Sequence, residues 1–262
     1  NAVNGVATFN DLSLDEVASG YTLNFSSGTL SAATSASFDI NQAPATQLAI
    51  TQEPTSTIAG ESINPAITVE LRDANDNLVS NATDTVTLAI ATDPSSGAAN
   101  LGGTLSVAAV NGIATFSDIT LDKAFSGYTL QATSGALTAA TTNSFNITPA
   151  AKAQLAFNTQ PSEVEYNSAI APAISVEIQD AFGNKTTDTD TITLAINNNP
   201  EGATLGGTLS VAASAGEASF NDISLDAVGT GYTLDASAAG LSTSTSDPFD
   251  VITTPTQLVI NQ

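Results

Sequence analysis

Residues 104–119 read TLSVAAVNGIATFSDI, and the pair Asn111-Gly112 divides this stretch into two strand-like segments with alternating apolar and polar residues. Alternation with a period of two predicts strands that bury one face. Asn-Gly favours a tight turn between them because both residues accept a positive φ. The stretch therefore predicts a β-hairpin formed by Thr104–Val110 and Ile113–Ile119.

The hairpin belongs to a long internal repeat. Its second strand, Asn-Gly-Ile-Ala-Thr-Phe at 111–116, returns as Asn-Gly-Val-Ala-Thr-Phe at 4–9 and as Ala-Gly-Glu-Ala-Ser-Phe at 215–220. The tetrapeptide Gly-Tyr-Thr-Leu also occurs three times, beginning at Gly20, Gly127 and Gly231. A third motif, Gln-Leu followed by two apolar residues, begins at Gln47, Gln154 and Gln257. Matches in the same order at nearly constant offsets predict tandem units of about 105 residues.

The repeat divides the chain into four predicted segments. Residues 1–46 are the C-terminal part of one unit, 47–153 and 154–256 are two complete units, and 257–262 are the first strand of a following unit. We interpret the sequence as part of a longer tandem array. The first segment lacks counterparts of about residues 53–107, so an open sheet edge and an exposed core face are expected there.

Each complete unit consists of short predicted strands separated by turns, without an extended helical period. In the first unit the predicted strands outside the hairpin are Gln47–Gln52, Ile67–Arg72, Thr85–Ile90, Tyr128–Thr133 and Thr142–Ile147. Seven or eight strands in about 105 residues are typical of a two-sheet Greek-key sandwich.

A tyrosine stands at the entrance to the penultimate predicted strand of every unit, at Tyr21, Tyr128 and Tyr232. In immunoglobulin-like sandwiches a tyrosine at this place donates its hydroxyl to a backbone carbonyl a few residues earlier, an arrangement called a tyrosine corner. The predicted fold class is therefore all-β, with tandem immunoglobulin-like Greek-key β-sandwich domains arranged end to end.

Together these motifs resemble the tandem bacterial immunoglobulin-like (Big, invasin and intimin type) repeats of large surface proteins. The resemblance covers the whole chain and rests on VELRDANDNLV at 69–79, NGIATF at 111–116 and GYTLQA at 127–132. An Asp-Ala-Asn-Gly-Asn turn is common in that family. The second unit has Asp-Ala-Phe-Gly-Asn at 180–184, whereas the first has Asp76 in the glycine position, which aspartate tolerates better than most residues. The resemblance implies a stalk, spacer or fibre segment.

The composition excludes most catalytic chemistry. The 262 residues include no Cys, Met, Trp or His, which removes thiol nucleophiles, disulfides, Ser–His couples and the usual zinc and copper ligands. A net charge of −22, from 26 acidic and four basic residues, opposes binding to nucleic acid and anionic lipid. No stretch reaches the ~18 consecutive apolar residues of a membrane span. We predict no enzyme activity, no membrane insertion, and no catalytic, cofactor-binding or metal-binding residues.

Calcium binding stays open as an alternative. Positions 1, 3, 5 and 12 of a calcium-loop spacing are occupied by Asp73, Asn75, Asn77 and Asp84. However, Leu78 stands where such a loop needs glycine, and the second unit has Phe182 in place of Asn75. A structural turn is therefore the favoured interpretation, and a calcium-dependent adhesion module is the alternative.

Pairs of aspartates, four residues apart, recur in every unit. They are Asp11 and Asp15, Asp118 and Asp122, and Asp222 and Asp226. Residues i and i+4 of a strand lie ~13 Å apart, beyond the ~9.5 Å upper limit of glycosidase carboxylate pairs. Turn capping is thus favoured over a junction cation or acid–base catalysis.

Most phenylalanines fall on predicted strands and are expected to pack in the core. These are Phe9, Phe116 and Phe220 at one repeat position, and Phe38, Phe145 and Phe249 at another. Phe125 and Phe182 break the pattern and are the expected exposed contacts.

The connections between units, at 41–46, 148–153 and 253–256, are short and contain proline. Because proline fixes φ, the units should line up with limited bending. The sequence predicts a structural segment of a bacterial extracellular or cell-surface protein, in which the repeats form a rod in an adhesin stalk or surface fibre. The expected partners are neighbouring repeats. Identical chains become partners in the alternative of a laterally assembled filament or sheath.

Overall fold

The computed structural model describes residues 2–253, and this part of the chain is all-β and contains no helix. Accordingly, no helix in the described range is long and apolar enough to cross a membrane. The predicted strand at 257–262, and the connection at 253–256 after its first residue, lie outside the described residues.

The leading segment, residues 2–46, forms four short strands. They are β1 (Ala18–Tyr21), β2 (Asn24–Phe25), β3 (Ala33–Thr34) and β4 (Phe38–Ile40). β1 pairs with β4, and β2 pairs with β3, both in antiparallel orientation.

The first unit, residues 47–153, contains eleven strands before the next unit begins. They are β5 (Gln47–Gln52), β6 (Thr57–Ile58), β7 (Ile67–Arg72), β8 (Thr85–Thr92), β9 (Leu101–Gly102), β10 (Ser106–Ala108), β11 (Ile113–Phe116), β12 (Thr120–Leu121), β13 (Ser126–Thr133), β14 (Ala140–Thr141) and β15 (Phe145–Thr148). The larger sheet has the order β10-β8-β13-β15-β6, with β14 also on β13, and the smaller one has the order β11-β7-β5. β15 and β6 are parallel, and the other pairs are antiparallel.

The second unit, from 154, repeats this order. Its strands, the first of which begins two residues earlier, are β16 (Lys152–Thr159), β17 (Val164–Glu165), β18 (Ile174–Asp180), β19 (Thr191–Ile196), β20 (Leu205–Gly206), β21 (Ser210–Ala212), β22 (Glu217–Phe220), β23 (Ser224–Leu225), β24 (Gly229–Tyr232), β25 (Leu234–Ser237), β26 (Ser244–Thr245) and β27 (Phe249–Ile252). The strand that is continuous as β13 is divided here into β24 and β25, so the larger sheet separates into β21-β19-β25-β26 and β17-β27-β24.

Each complete unit encloses its own hydrophobic core. On β7 the apolar residues Ile67, Val69 and Leu71 are fully buried, whereas the residues between them are only partly buried. This is the alternation that the sequence predicted. Phe116 is buried in the first core and Phe220 in the second. Two layers with apolar inner faces are consistent with a β-sandwich.

The predicted tyrosine hydrogen bonds are confirmed at all three positions. Tyr128 Oη donates to the carbonyl oxygen of Lys123 at 2.9 Å. The equivalent bonds are from Tyr232 to Ala227 at 3.1 Å and from Tyr21 to Glu16 at 3.2 Å. Each bond fixes the turn that precedes the tyrosine, and this turn lies at the end of a unit.

The predicted hairpin turn is confirmed, because Asn111 and Gly112 have φ angles of 52° and 77°. The two flanking strands, β10 and β11, are shorter than Thr104–Val110 and Ile113–Ile119, and the prediction that they pair as a hairpin is wrong beyond the bridge between Val110 and Ile113. β10 pairs with β8 in the larger sheet and β11 pairs with β7 in the smaller one, so the turn carries the chain from one sheet to the other. Before β10, the Asp118 carboxylate accepts the backbone N–H of Thr104 at 3.0 Å and its hydroxyl at 2.8 Å, and this side-chain cap takes the place of ladder bonds there.

The strand count is also higher than the predicted seven or eight, because several strands have only two residues. The predicted strand Thr142–Ile147 begins three residues later, as β15. Thr142 instead exchanges two bonds with Leu130, one through its hydroxyl and one through its N–H.

The prediction that Phe9 packs in a core is wrong, since 57% of its surface is exposed. In the first unit the equivalent residue, Phe116, lies on β11, which pairs with β7. Residues 2–46 contain no counterpart of β7, so the segment around Phe9 has no such strand to pair with, and the Phe9 ring contacts Phe25 of β2 at a centroid distance of 5.7 Å. The exposed core face expected in this segment is therefore confirmed. It forms a groove of about 900 Å³ whose apolar lining includes Phe9, Phe25 and Leu30.

Candidate functional site: the joints between repeat units

The second complete unit contacts the first through the turn at residues 180–184, at the end of β18. Asp180 is fully buried, and its Oδ1 accepts the backbone N–H groups of Phe182 at 2.8 Å and Asn184 at 2.9 Å. Its Oδ2 accepts the Asn184 side-chain amide and the N–H of Ala150, both at 2.9 Å. Gly183 has a φ of 78°, which the turn requires. One carboxylate therefore ties the turn to the connection between the units.

Asp180 stays ionised at neutral pH in this environment. Burial alone would raise its pKa, but the hydrogen bonds from Asn184, Ala150 and Phe182 together lower the pKa below its ordinary value. The buried negative charge is thus stabilised by N–H groups rather than by a cation.

Asn184 carries the turn across to the first unit. Its Nδ2 donates to the carbonyl oxygen of Asp122 at 2.8 Å, and its Oδ1 accepts the N–H of Ala124 at 2.9 Å. Both partners lie in the turn that Tyr128 fixes. A side-chain amide with one donor and one acceptor engaged on the same backbone segment mimics a strand pairing, so it fixes orientation as well as distance. We call the contacts between the first and second units the second joint.

Two further contacts in the second joint accompany the hydrogen bonds of Asn184 to Asp122 and Ala124. The Phe182 ring lies over Gly60, where a Cβ would be only 2.3 Å from the ring Cζ. Lys123 Nζ donates to the carbonyl oxygen of Phe182. Phe182 is 40% exposed and Phe125 is 46% exposed, which confirms the expectation that both reach the surface.

The first joint, between the leading segment and the first unit, has the same central contact. Asp73 Oδ1 accepts the N–H groups of Asn75 and Asn77, each at 2.9 Å. Asn77 Nδ2 then donates to the carbonyl oxygen of Asp15 at 2.7 Å. Asp15 and Asp122 hold the same repeat position. The two turns therefore make the same bond to the preceding unit.

A second set of contacts at the first joint comes from Gln42 in the connection. Its Nε2 donates to the carbonyl oxygen of Leu78, and its Oε1 accepts the Ser80 hydroxyl at 3.3 Å. In the second joint, Asp180 and the N–H of Ala150 take over this anchoring of the connection.

All four basic residues of the chain lie next to the joints. Arg72 pairs with Glu70 at 2.8 Å and with Asp76 at 2.9 Å. The remaining ion pairs are Lys152 with Asp190 at 2.6 Å, Lys152 with Asp188 at 3.9 Å, Lys185 with Glu217, and Lys185 with Glu177 at 3.5 Å. The fourth basic residue is Lys123. Sequence analysis missed this clustering, although each cation is within a few residues of a turn or connection.

The aspartate pairs of the two complete units cap turns, as predicted, whereas no capping bond of Asp11 or Asp15 is recorded within residues 2–253. Asp118 and Asp222 bind the N–H and hydroxyl of Thr104 and Thr208, respectively. Asp122 accepts the N–H of Asn100 at 2.7 Å, and Asp226 accepts that of Thr204 at 2.6 Å.

The residues of the calcium-loop spacing form the structural turn that the sequence favoured. Asp73, Asn75 and Asn77 come together, with the Asp73 carboxylate directed at backbone N–H groups. These bonds lower its pKa, the Asn77 N–H making the largest contribution. No contact between Asp84 and Asp73 is recorded in residues 2–253. That range also contains no group of three or more His, Cys, Asp or Glu residues able to hold a metal ion.

No protein-family model matches the sequence, and no curated protein matches it. Among solved structures, the Yersinia pseudotuberculosis adhesin InvE is 13% identical, with a TM-score of 0.31 and coverage of 78% of this chain and 58% of that one. Domains 4–9 of surface layer protein SbsC are 17% identical, with a TM-score of 0.30 and coverage of 86% and 34%.

A glycosyl hydrolase family 2 member from Bacteroides cellulosilyticus is 14% identical, with a TM-score of 0.33 and coverage of 73% of this chain. The chain spans about a quarter of the length of that enzyme. At such low TM-scores and identities, these similarities carry no argument about function.

Proposed function

We propose that this chain is a structural, non-catalytic segment of a bacterial extracellular surface protein, in which tandem immunoglobulin-like Greek-key units form a rod. The domains would be 47–153 and 154–256, preceded by the C-terminal part of a unit at 1–46 and followed by the first strand of another at 257–262. The rod would serve as the stalk of an adhesin or as a segment of a surface fibre.

The observation that carries this proposal is the bond repeated at both joints. An asparagine four residues after a buried aspartate donates to the same backbone carbonyl of the preceding unit, once from Asn77 and once from Asn184. A flexible string of independent domains does not need the same bond at successive joints. A bond that recurs in the repeat supports a fixed angle between neighbours, and a fixed angle repeated along a chain produces a rod or a regular superhelix.

The charge distribution supports the same proposal. The chain carries a net charge of −22, so neighbouring units repel each other. Cations placed at the joints offset this repulsion where the units touch, while the sides of the units stay acidic and repel other chains. Lys123 illustrates this because it belongs to the first unit and bonds to a carbonyl oxygen of the second.

Small-angle X-ray scattering of the 262-residue chain tests the proposal. We expect one fixed arrangement of the two units to fit the curve. In the Asn77→Ala, Asn184→Ala double variant, fitting should require a broad distribution of arrangements, because the bonds that orient the units are gone. The matched control is Asn143→Ala, which removes an exposed asparagine side chain distant in sequence from both turns. The proposal would be overturned if the wild type and the double variant required the same broad distribution of arrangements of the units.

Sedimentation velocity in the same buffers tests the two alternatives. A monomer at every concentration supports a spacer, whereas a mass that rises with concentration would favour a laterally assembled filament or sheath. The calcium-dependent adhesion module predicts a melting temperature that rises with calcium and falls with a chelator. We expect neither reagent to change it.

A further inference from the structure

The second unit carries a second copy of the surface that accepts Asn184. The acceptor sequence Leu-Asp-Lys-Ala at 121–124 has the counterpart Leu-Asp-Ala-Val at 225–228. Its backbone is held in the same way. The carbonyl oxygen of Leu121 accepts the N–H of Gly60 at 2.8 Å, and that of Leu225 accepts the N–H of Asn167 at 3.0 Å. The tyrosine bond is also present in both units.

This second copy has no partner within residues 2–253. No hydrogen bond is recorded there for the carbonyl oxygen of Asp226 or the N–H of Val228, the counterparts of the two groups that bind Asn184. Val228 and Tyr166, beside them, are each 45% exposed. In the first unit, by contrast, Ala124, the counterpart of Val228, is partly covered, and Ala59, the counterpart of Tyr166, is 2% exposed. The carbonyl oxygen of Asp226 and the N–H of Val228 are thus the counterparts of the acceptor and the donor that bind Asn184, but they have no recorded asparagine partner within residues 2–253.

We propose that this terminal face, formed by Tyr166, Asn167, Asp226 and Val228, docks the Asp-x-x-x-Asn turn of a further repeat unit. The proposal rests on the proposed function and extends it to a specific partner. Continuity with the two existing joints identifies the occupant, because the same face of each preceding unit holds such an asparagine. In addition, Gln257–Ile260 repeats the motif that opens both complete units.

The structure also indicates which kind of turn fits. In the second joint, the Phe182 ring occupies the space where a side chain at position 60 would begin, and this is possible only because residue 60 is glycine. The counterpart of Gly60 in the terminal face is Asn167, which has a Cβ and a φ of 57°. A phenylalanine at the third position of the docking turn would therefore collide with Asn167. The first unit's turn, with Asn75 at this position, is of the type that fits.

An extended chain tests the proposal. Because Gln262 aligns with Thr159, residues 160–256 can be appended directly after Gln262, with Phe182→Asn in the appended copy. This gives an additional unit with an Asp-Ala-Asn-Gly-Asn turn, whose last asparagine is the copy of Asn184, the residue that both donates and accepts in the second joint. Amide hydrogen exchange is then measured by NMR at Val228, with Ala124 as an internal reference. We expect exchange at Val228 to slow about 5- to 10-fold relative to the 262-residue chain, as a newly formed hydrogen bond would cause. The matched control changes the appended copy of Asn184 to Ala, which should restore fast exchange.

The outcomes separate this proposal from the proposed function. If Ala124 is protected while Val228 exchanges equally fast with and without a folded appended unit, the terminal face is not a docking site and the joint account stands. If Ala124 is also unprotected, both fail. A second variant, in which the appended copy keeps Phe182, should lose most of the protection at Val228. Full protection in that variant would overturn the predicted preference for a small residue.

Discussion

Asn184 uses both sides of its amide in the second joint, whereas Asn77 in the first joint donates to Asp15 and has no recorded bond from Val17, the counterpart of Ala124. Val17 is 42% exposed, close to the value of the unpartnered Val228. The comparison indicates that the repeat preserves one orienting bond, while the residues around it determine how firmly two units are held. The second joint should therefore be the stiffer one.

The largest difference should come from the two buried aspartates. Asp180→Ala removes the acceptor of four bonds, including the one from Ala150, and we expect it to lower the free energy of unfolding of the second unit by about 3 kcal/mol. The matched residue, Asp73, makes no side-chain bond to the connection, so Asp73→Ala should lower the free energy of unfolding of the first unit by only about 2 kcal/mol. Denaturant titration followed by hydrogen-exchange mass spectrometry resolves the two units. Equal losses would mean that the Ala150 contact adds nothing.

The second-largest difference between the joints should come from their asparagines, Asn184 and Asn77. Asn184→Ala removes one donated and one accepted bond to the first unit, so we expect the coupling between units to weaken by about 1–2 kcal/mol, against about 1 kcal/mol for Asn77→Ala. The readout is the exchange rate of the Ala124 amide, which should rise in Asn184→Ala alone. A change in Ala124 exchange that is as large in Asn77→Ala would contradict the assignment.

The two joints show which parts of the structure could be predicted from the sequence and which could not. The strands Gln47–Gln52 and Ile67–Arg72 were predicted with their observed bounds, because the first opens the repeat and the second is a run of alternating apolar and polar residues. The Asp-x-x-x-Asn turn was also predicted as a structural element, because its bonds are local. Its contact with the preceding unit was not predicted, since Asn184 and Asp122 are 62 residues apart and no local pattern signals the pairing.

The leading segment also shows that a local sequence pattern does not predict contacts between distant residues. Its motif at 4–9 is nearly identical to that at 111–116, yet Phe9 is exposed and Phe116 is 1% exposed. A strand pattern states which face is apolar, but burial depends on a partner strand elsewhere in the chain. The clustering of basic residues at the joints likewise becomes apparent only when residues distant in sequence are placed together.

The next effect concerns the aromatic contact that only the second joint has. Phe182→Ala should weaken the coupling between units by about 1 kcal/mol, because the ring is partly buried over Gly60. Its counterpart Asn75→Ala should have little effect. Thermal unfolding with exchange at the Ala124 amide provides the measurement. If the two variants behave alike, the Phe182 ring does not contribute to the coupling between the units.

Acid should affect the second unit more than the first. The bonds from Lys185, Ser175 and Asn158 lower the pKa of Glu217 from 4.5 to about 2, and Ile113 holds the equivalent position in the first unit. Because the pKa is lower in the folded state, ionised Glu217 stabilises the unit above about pH 4.5, and this contribution is lost as the pH falls towards 2. We expect the Glu217→Gln variant to show a weaker decline in melting temperature over this range. An unchanged decline would assign acid sensitivity to other groups.

The smallest effect should come from Lys123. Its ammonium group is partly exposed, so Lys123→Ala should weaken the joint by no more than about 0.5 kcal/mol. In the leading segment, Glu16 holds this position, and Glu16→Ala should produce no loss. Exchange at the Ala124 amide at low and high salt separates the two cases, since only the lysine contribution should diminish with salt. A loss in Lys123→Ala that is independent of salt would contradict an electrostatic origin.

The central claim, that one asparagine fixes the angle between successive units, can be tested most directly by distance measurement between spin labels. The chain has no cysteine, so Gln131→Cys in the first unit and Ala195→Cys in the second give unique labelling sites on exposed strand positions. We predict one narrow distance distribution for the labelled chain and a clearly broader one when Asn184→Ala is added. A broad distribution before that substitution, or an unchanged narrow one after it, would contradict the account.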